Sequence, residues 1–143
     1  MNNNRRSGTV PADIPHATGA APHDTVSKSL MQSTIAQFSD AWARCDIEGL
    51  MALMNDAPLY RTSSGLTFEG RDSVRQGFSR MCQPTNSPSP PGQLLFFDDK
   101  CLSYWTLKLP SNDGEIRSVY GIDVISFDPD GRIRVKDAYR KSA

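Results

Sequence analysis

The segment Tyr120-Gly121-Ile122-Asp123-Val124-Ile125-Ser126-Phe127-Asp128-Pro129-Asp130-Gly131-Arg132-Ile133 reads as a long strand, a tight turn and the start of another strand. At the two-residue period of a strand, one face carries Val119, Gly121, Asp123, Ile125 and Phe127. A carboxylic acid therefore sits in the middle of an apolar face. An ionised carboxylate buried without partners is strongly disfavoured, so such an acid is paired, protonated or functional. The opposite face carries Ile116, Tyr120, Ile122 and Val124. Apolar residues on both faces call for cover on both sides.

Working outward, Gln93–Phe97, Cys101–Leu109, Glu115–Phe127 and Arg132–Tyr139 all read as strands. Asp98-Asp99-Lys100, Ser111-Asn112-Asp113-Gly114 and Asp128-Pro129-Asp130-Gly131 join them with ordinary turn chemistry. Upstream the pattern changes to helical. Met31, Ile35, Phe38 and Trp42 build one apolar face of a helix that starts near residues 25–29, where Ser29 and Gln32 have capping-box spacing. Asp46 reads as the N-cap of a second helix with Leu50, Met51, Leu53 and Met54 on its buried side. Asp72 reads as the cap of a third, with Val74, Phe78 and Met81 at helical spacing. Between them lie short strands over Pro58–Thr62 and Thr67–Glu69. Four prolines between Cys82 and Gly92 make that stretch a loop. Helices first and an antiparallel meander afterwards predict an α+β fold. The helices cover only one face of the sheet, so a homodimer packed through the outer sheet face is expected.

Residues 1–24 are rich in Asn, Gly, Ala, Pro and Thr and read as a disordered leader, leaving 25–143 as one domain. The 143 residues hold 16 Lys plus Arg against 16 Asp plus Glu, and no basic run argues for a nucleic-acid partner. No apolar stretch approaches the roughly 20 residues that span a bilayer, so no membrane is expected and a cytoplasmic location is the default. Cys45, Cys82 and Cys101 are odd in number and share no ligand spacing, which argues against disulfides and a metal site. His16 and His23 both fall in the leader. The domain therefore lacks the imidazole of the usual Ser-His and Cys-His arrangements. Chemistry here must rest on carboxylates, tyrosines, arginine or ligand positioning.

Asp46-Ile47-Glu48, Phe68-Glu69-Gly70-Arg71-Asp72 and the ending Ile122-Asp123-Val124, Phe127-Asp128, Gly131-Arg132-Ile133, Ala138-Tyr139 resemble one family. It is the ketosteroid isomerase and SnoaL-like branch of the nuclear transport factor 2-like superfamily, over roughly residues 28–141. The resemblance implies a cone-shaped curved antiparallel β-sheet wrapped around three N-terminal helices, enclosing a deep hydrophobic pocket. It also implies, at the position matched by Asp123, an acid that donates a hydrogen bond to a developing enolate, as in ketosteroid isomerase. The isomerase tyrosines match Phe38, Met54 and Phe78 here, and the catalytic base matches Arg61, give or take one residue. Arginine stays protonated and cannot be a base near neutral pH. Losing one preorganised donor costs on the order of 2.7–4 kcal/mol of transition-state stabilisation. The resemblance thus implies the fold and cavity but not steroid isomerisation.

The leading expectation is an isomerase, cyclase or dehydratase, polyketide cyclase-like in type, acting on an apolar carbonyl compound without a cofactor or metal. Asp123 is its acid–base or hydrogen-bonding residue and Arg61 its electrostatic stabiliser. Gly121 would leave room for the ligand. Phe38, Trp42, Met54, Tyr60, Phe78, Trp105, Val119 and Asp137 are the candidate wall of the pocket. Against this stand plainer readings: Asp123 merely paired with Arg61 or a backbone group, Arg61 snorkelling at the cone mouth, and the aromatics serving as core. Arg61 shares a face with Leu59, and a one-residue slip would turn Tyr60 inward instead. The competing function is a non-catalytic binder of small hydrophobic acids or a dimerising accessory module, because four polar positions of the isomerase are replaced.

Overall fold

The Ser27 hydroxyl accepts a hydrogen bond from Leu30 N at 3.1 Å and starts α1, Lys28–Ala43. The cap lies two residues before the expected Ser29, because Ser27 has the extended backbone that a cap requires. In this computed structural model, which describes residues 25–82 and 92–141, Met31, Ile35, Phe38 and Ala41 on α1 are buried. Asp46 caps α2, Ile47–Ala52, through Gly49 N at 2.9 Å, as expected. The third helix, α3, Arg71–Met81, starts from Gly70 at φ +83° and not from Asp72, which lies in its first turn. Arg71 turns back to bond the carbonyl oxygens of Met51, Met54 and Asn55 at 3.0, 3.1 and 2.9 Å. One guanidinium thereby satisfies a carbonyl released at the end of α2 and two more at the start of the following strand.

The strands are β1 Met54–Arg61, β2 Thr67–Glu69, β3 Leu94–Phe97, β4 Lys100–Pro110, β5 Ile116–Phe127 and β6 Ile133–Arg140. They form one open sheet in the order β2-β1-β6-β5-β4-β3. The α+β cone is as the sequence indicates, with one correction: β1 runs parallel to β6, so the sheet is mixed. β1 is also longer than Pro58–Thr62 and begins at Met54, which belongs to this strand and not to the second helix. The expected leader over 1–24 and most of the proline-rich loop lie outside the described residues.

Helices and sheet share one core built from Met31, Ile35, Phe38, Leu50, Met51, Met54, Val74, Phe78, Ile125, Phe127 and Ile133. The Thr34 hydroxyl donates to Gly131 O at 2.8 Å and ties α1 to the β5–β6 turn. That turn is Asp128-Pro129-Asp130-Gly131, with Gly131 at φ +83°, a value that other residues rarely adopt. Among the described residues no helix is long and apolar enough to cross a membrane.

Candidate active site

Two irregularities in the sheet decide which side chains look inward. The pairing of β5 with β6 shifts register between Ser126 and Phe127: Ser126 pairs with Val135, whereas Phe127 pairs with Ile133. The extra residue, Arg134, is a bulge, and it reverses the facing of everything beyond it. Ile133 is buried, and so is Lys136 three residues later. Asp137 consequently points to the outer face. A second shift separates Met54 from Leu59 on β1, after which Pro58, Tyr60 and Thr62 are buried while Arg61 is exposed.

The inward side chains surround a cavity of about 430 Å³. Ile35, Phe38 and Trp42 line it from α1, Tyr60 from β1, Thr62 and Ser63 from the following turn. Ser103, Trp105 and Leu107 come from β4, Asp123 and Ile125 from β5, Lys136 and Ala138 from β6. Phe78 is fully buried behind this wall, with its ring centroid 5.9 Å from those of Phe38 and Trp42 and 5.0 Å from that of Tyr60.

Asp123 does not meet Arg61. Its Oδ2 pairs with Lys136 Nζ at 2.9 Å, and its Oδ1 accepts a hydrogen bond from Trp105 Nε1 at 3.0 Å. The pair is well enclosed, with side-chain exposures of 6% for Lys136 and 16% for Asp123. The ammonium lies 5.4 Å from the Trp42 ring centroid and 5.0 Å from that of Tyr60, where each aromatic face attracts a cation. Burial works against the charged lysine, but Asp123 first and then Tyr60 outweigh it, and Lys136 titrates above the ordinary lysine range. It is therefore an ammonium at neutral pH and not a nucleophilic amine.

Burial pushes the Tyr60 phenol up, although the Lys136 charge pulls the other way. The Tyr60 side chain is only 3% exposed, borders the cavity, and has no hydrogen-bond partner among the described residues. It is a neutral donor at neutral pH. A carboxylate offers about four lone-pair directions, so Asp123 keeps acceptor capacity beyond its two bonds. The arrangement is one acceptor beside two donors, one of them charged.

Of the expected wall residues, Phe38, Trp42, Tyr60 and Trp105 line the cavity. Met54 and Phe78 are core, and Val119 is outside the lining. Arg61 and Asp137 pair with each other at 3.1 Å on the outer side, and the Tyr139 hydroxyl donates to the same carboxylate oxygen at 3.0 Å. Arg61 thus stands apart from the cavity, as the one-residue slip allowed. The space beside Gly121 is not vacant for a ligand, because the Trp105 ring occupies it. Among the described residues no group of three His, Cys, Asp or Glu side chains could hold a metal ion.

Residues 35–135 match the family described as SnoaL-like domain. The chain belongs to that family. No curated protein matches it significantly in sequence. Solved structures of SnoaL-like shape are numerous and remote in sequence. An NTF2-like protein of unknown function from Mesorhizobium loti is 21% identical with a TM-score of 0.68, covering 80% of this chain and 93% of that one. A steroid delta-isomerase from Pseudomonas aeruginosa is 19% identical with a TM-score of 0.68, covering 86% and 85%. The epoxide hydrolase/cyclase-like enzyme SalBIII of salinomycin pyran ring formation is 14% identical with a TM-score of 0.65, covering 79% and 92%. At these identities the likeness concerns the fold.

Proposed function

We propose that this SnoaL-like protein is a small-molecule isomerase or cyclase that moves a proton within an apolar carbonyl compound. The observation that carries the reading is the Lys136–Asp123 pair in the cavity wall, with the Tyr60 side chain beside it. Asp123 takes a proton from the carbon next to the substrate carbonyl. Lys136 and Tyr60 donate to the oxygen on which negative charge grows, which is where preorganised donors act most strongly. Trp105 fixes the carboxylate through Oδ1. The solved enzymes of the same fold, a steroid isomerase and a ring-forming cyclase, are in keeping with such chemistry. Arg61 takes no part in this scheme.

The test is proton NMR in deuterium oxide across a panel of enones and β-dicarbonyl compounds. Catalysed exchange or isomerisation of at least one compound, abolished by Asp123→Asn, is expected. Saturable binding with no exchange anywhere would instead favour a binding protein.

The outer sheet face supports a further part of the reading, a homodimer. Leu95, Phe97, Tyr104, Tyr120 and Tyr139 are exposed there, and Leu102, Ile122 and Val124 lie between them. Apolar surface of that kind marks contact sites. Sedimentation should give a dimer at micromolar concentration and a monomer for Tyr120→Asp. A stable monomer in the parent protein would remove the dimer.

A further inference from the structure

We infer that Cys45 and Cys82 are an oxidative modification site: they close a reversible disulfide that ties the C-terminal end of α1 to that of α3.

Both cysteines stand just past a helix end. Arg44 is the C-cap of α1, and Cys45 follows it at φ +49°. The Cys45 amide donates to Trp42 O at 3.0 Å, and the Asp46 amide donates to Ala41 O at 2.9 Å. This doubly bonded ending puts the residue after the cap in the left-handed region, where glycine is usual because a side chain is strained there. A cysteine holds the position here. Cys82 caps α3, with its amide on Phe78 O at 2.8 Å. Its Sγ donates to Trp42 O at 3.2 Å, the same oxygen that accepts from the Cys45 amide. One carbonyl thus gathers the two residues, although α2, β1, β2 and α3 lie between them in the chain. The thiols also meet directly. Burial first, and then a hydrogen bond with the Cys45 side chain, push the Cys82 thiol up to about 12. For Cys101, on β4, the neighbouring group is Asp123. The spacing of the cysteines along the chain hides the pair, because only the fold brings the ends of α1 and α3 together.

All three cysteines are free thiols in this structure. The oxidant is a low-molecular-weight disulfide of the glutathione type. Cys45 is half-buried and Cys82 is buried, so Cys45 reacts first. Its thiolate attacks one sulfur of the small disulfide, whose S–S bond breaks, and one small thiolate leaves. The Cys82 thiolate then attacks Cys45 Sγ, forms the Sγ–Sγ bond and expels the second small thiolate. The pair gives up two protons and two electrons, and the small disulfide becomes two thiols. An excess of free thiol reverses both steps. Trp42 and Met81 line the cavity, and each lies close in the chain to one of the two cysteines. The bond therefore fixes the separation of α1 and α3 at that wall.

The experiment equilibrates the intact protein at pH 8 with mixtures of reduced and oxidised glutathione, traps free thiols with iodoacetamide, and reads the products by peptide mass spectrometry. Oxidised glutathione in excess should give a protein lighter by two hydrogen atoms, with Cys45 and Cys82 joined and Cys101 free, and dithiothreitol should restore all three thiols. The oxidised protein should unfold at least about 5 °C above the reduced one, since the bond closes a loop in the unfolded chain. Cys45→Gly suits the left-handed backbone and should fold at least as well as the parent. It should lose both the linked product and the difference in unfolding temperature. Glutathione held on Cys45 without closure, a link that involves Cys101, or three free thiols under excess oxidant would overturn the inference. Equal unfolding temperatures for the linked and reduced forms would also overturn it, because the bond would then clamp nothing.

Discussion

Trp105 on β4 stands opposite Gly121 on β5, and its indole covers the place where a side chain at 121 would lie. From there the ring nitrogen reaches Asp123 Oδ1 at 3.0 Å. A glycine two residues before the acid thus serves the acid through a tryptophan from the next strand. Gly121→Ala would push the ring away, and overpacking of this kind costs about 1–3 kcal/mol. Urea denaturation should show that loss, and Trp105→Phe should not make Gly121→Ala worse by the full amount, since the two share one contact.

The ion pair itself is testable by a cycle. Lys136→Met leaves the Asp123 carboxylate enclosed without its cation, and breaking a buried pair from one side costs about 3–5 kcal/mol. The double variant Lys136→Met with Asp123→Leu removes both charges and should be more stable than either single variant. Additive losses in denaturant would mean that the two groups do not support each other.

Alkaline pH should weaken the fold. Burial pushes the Cys82 thiol up to about 12 and the Cys101 thiol to about 11, and Tyr60 is raised for the same reason. Lys136 is raised by Asp123 against the effect of burial. Each group holds its proton more tightly in the folded chain than in the unfolded one. Each therefore adds stability that is complete below its unfolded value and lost as pH rises through the folded one. The midpoint of urea unfolding should fall from about pH 9, where unfolded thiols begin to ionise, and keep falling towards 12. In the native protein near pH 8, Cys45 should react first with a thiol reagent, because Cys82 and Cys101 are buried. Rapid labelling of all three would contradict the packing.

Arg71 offers a test away from the cavity. Its guanidinium bonds three carbonyl oxygens at the junction of α2 and β1. Arg71→Ala leaves part-buried acceptors unpaired, each worth about 1–3 kcal/mol, so thermal unfolding should move down by several degrees. Arg71→Lys should recover little of this, because an ammonium lacks the planar fork.

How far the sequence reaches is clear from particular residues. The acid on an apolar face, the Asp46 cap and the Asp128–Gly131 turn are local signals, and each lies where its chemistry indicates. Parity is not local. Arg134 is an extra residue of β6 against β5, and that one residue exchanges Asp137 for Lys136 as the inward group. The irregular start of β1 likewise turns Tyr60 inward and Arg61 outward. A lysine between Val135 and Asp137 reads as an exposed cation until the bulge is known. The Trp105–Gly121 contact depends on the β4–β5 register, which no spacing within one strand records.

The account is tested most directly by comparing three variants in the deuterium-exchange assay with one neutral carbonyl substrate. Asp123→Asn and Lys136→Met should each slow exchange at least about a hundredfold, the usual scale for losing a general base or an oxyanion donor. Arg61→Ala should stay within about twofold of the parent, as expected for a residue outside the reacting groups. Exchange that survives Lys136→Met but collapses in Arg61→Ala would contradict the account.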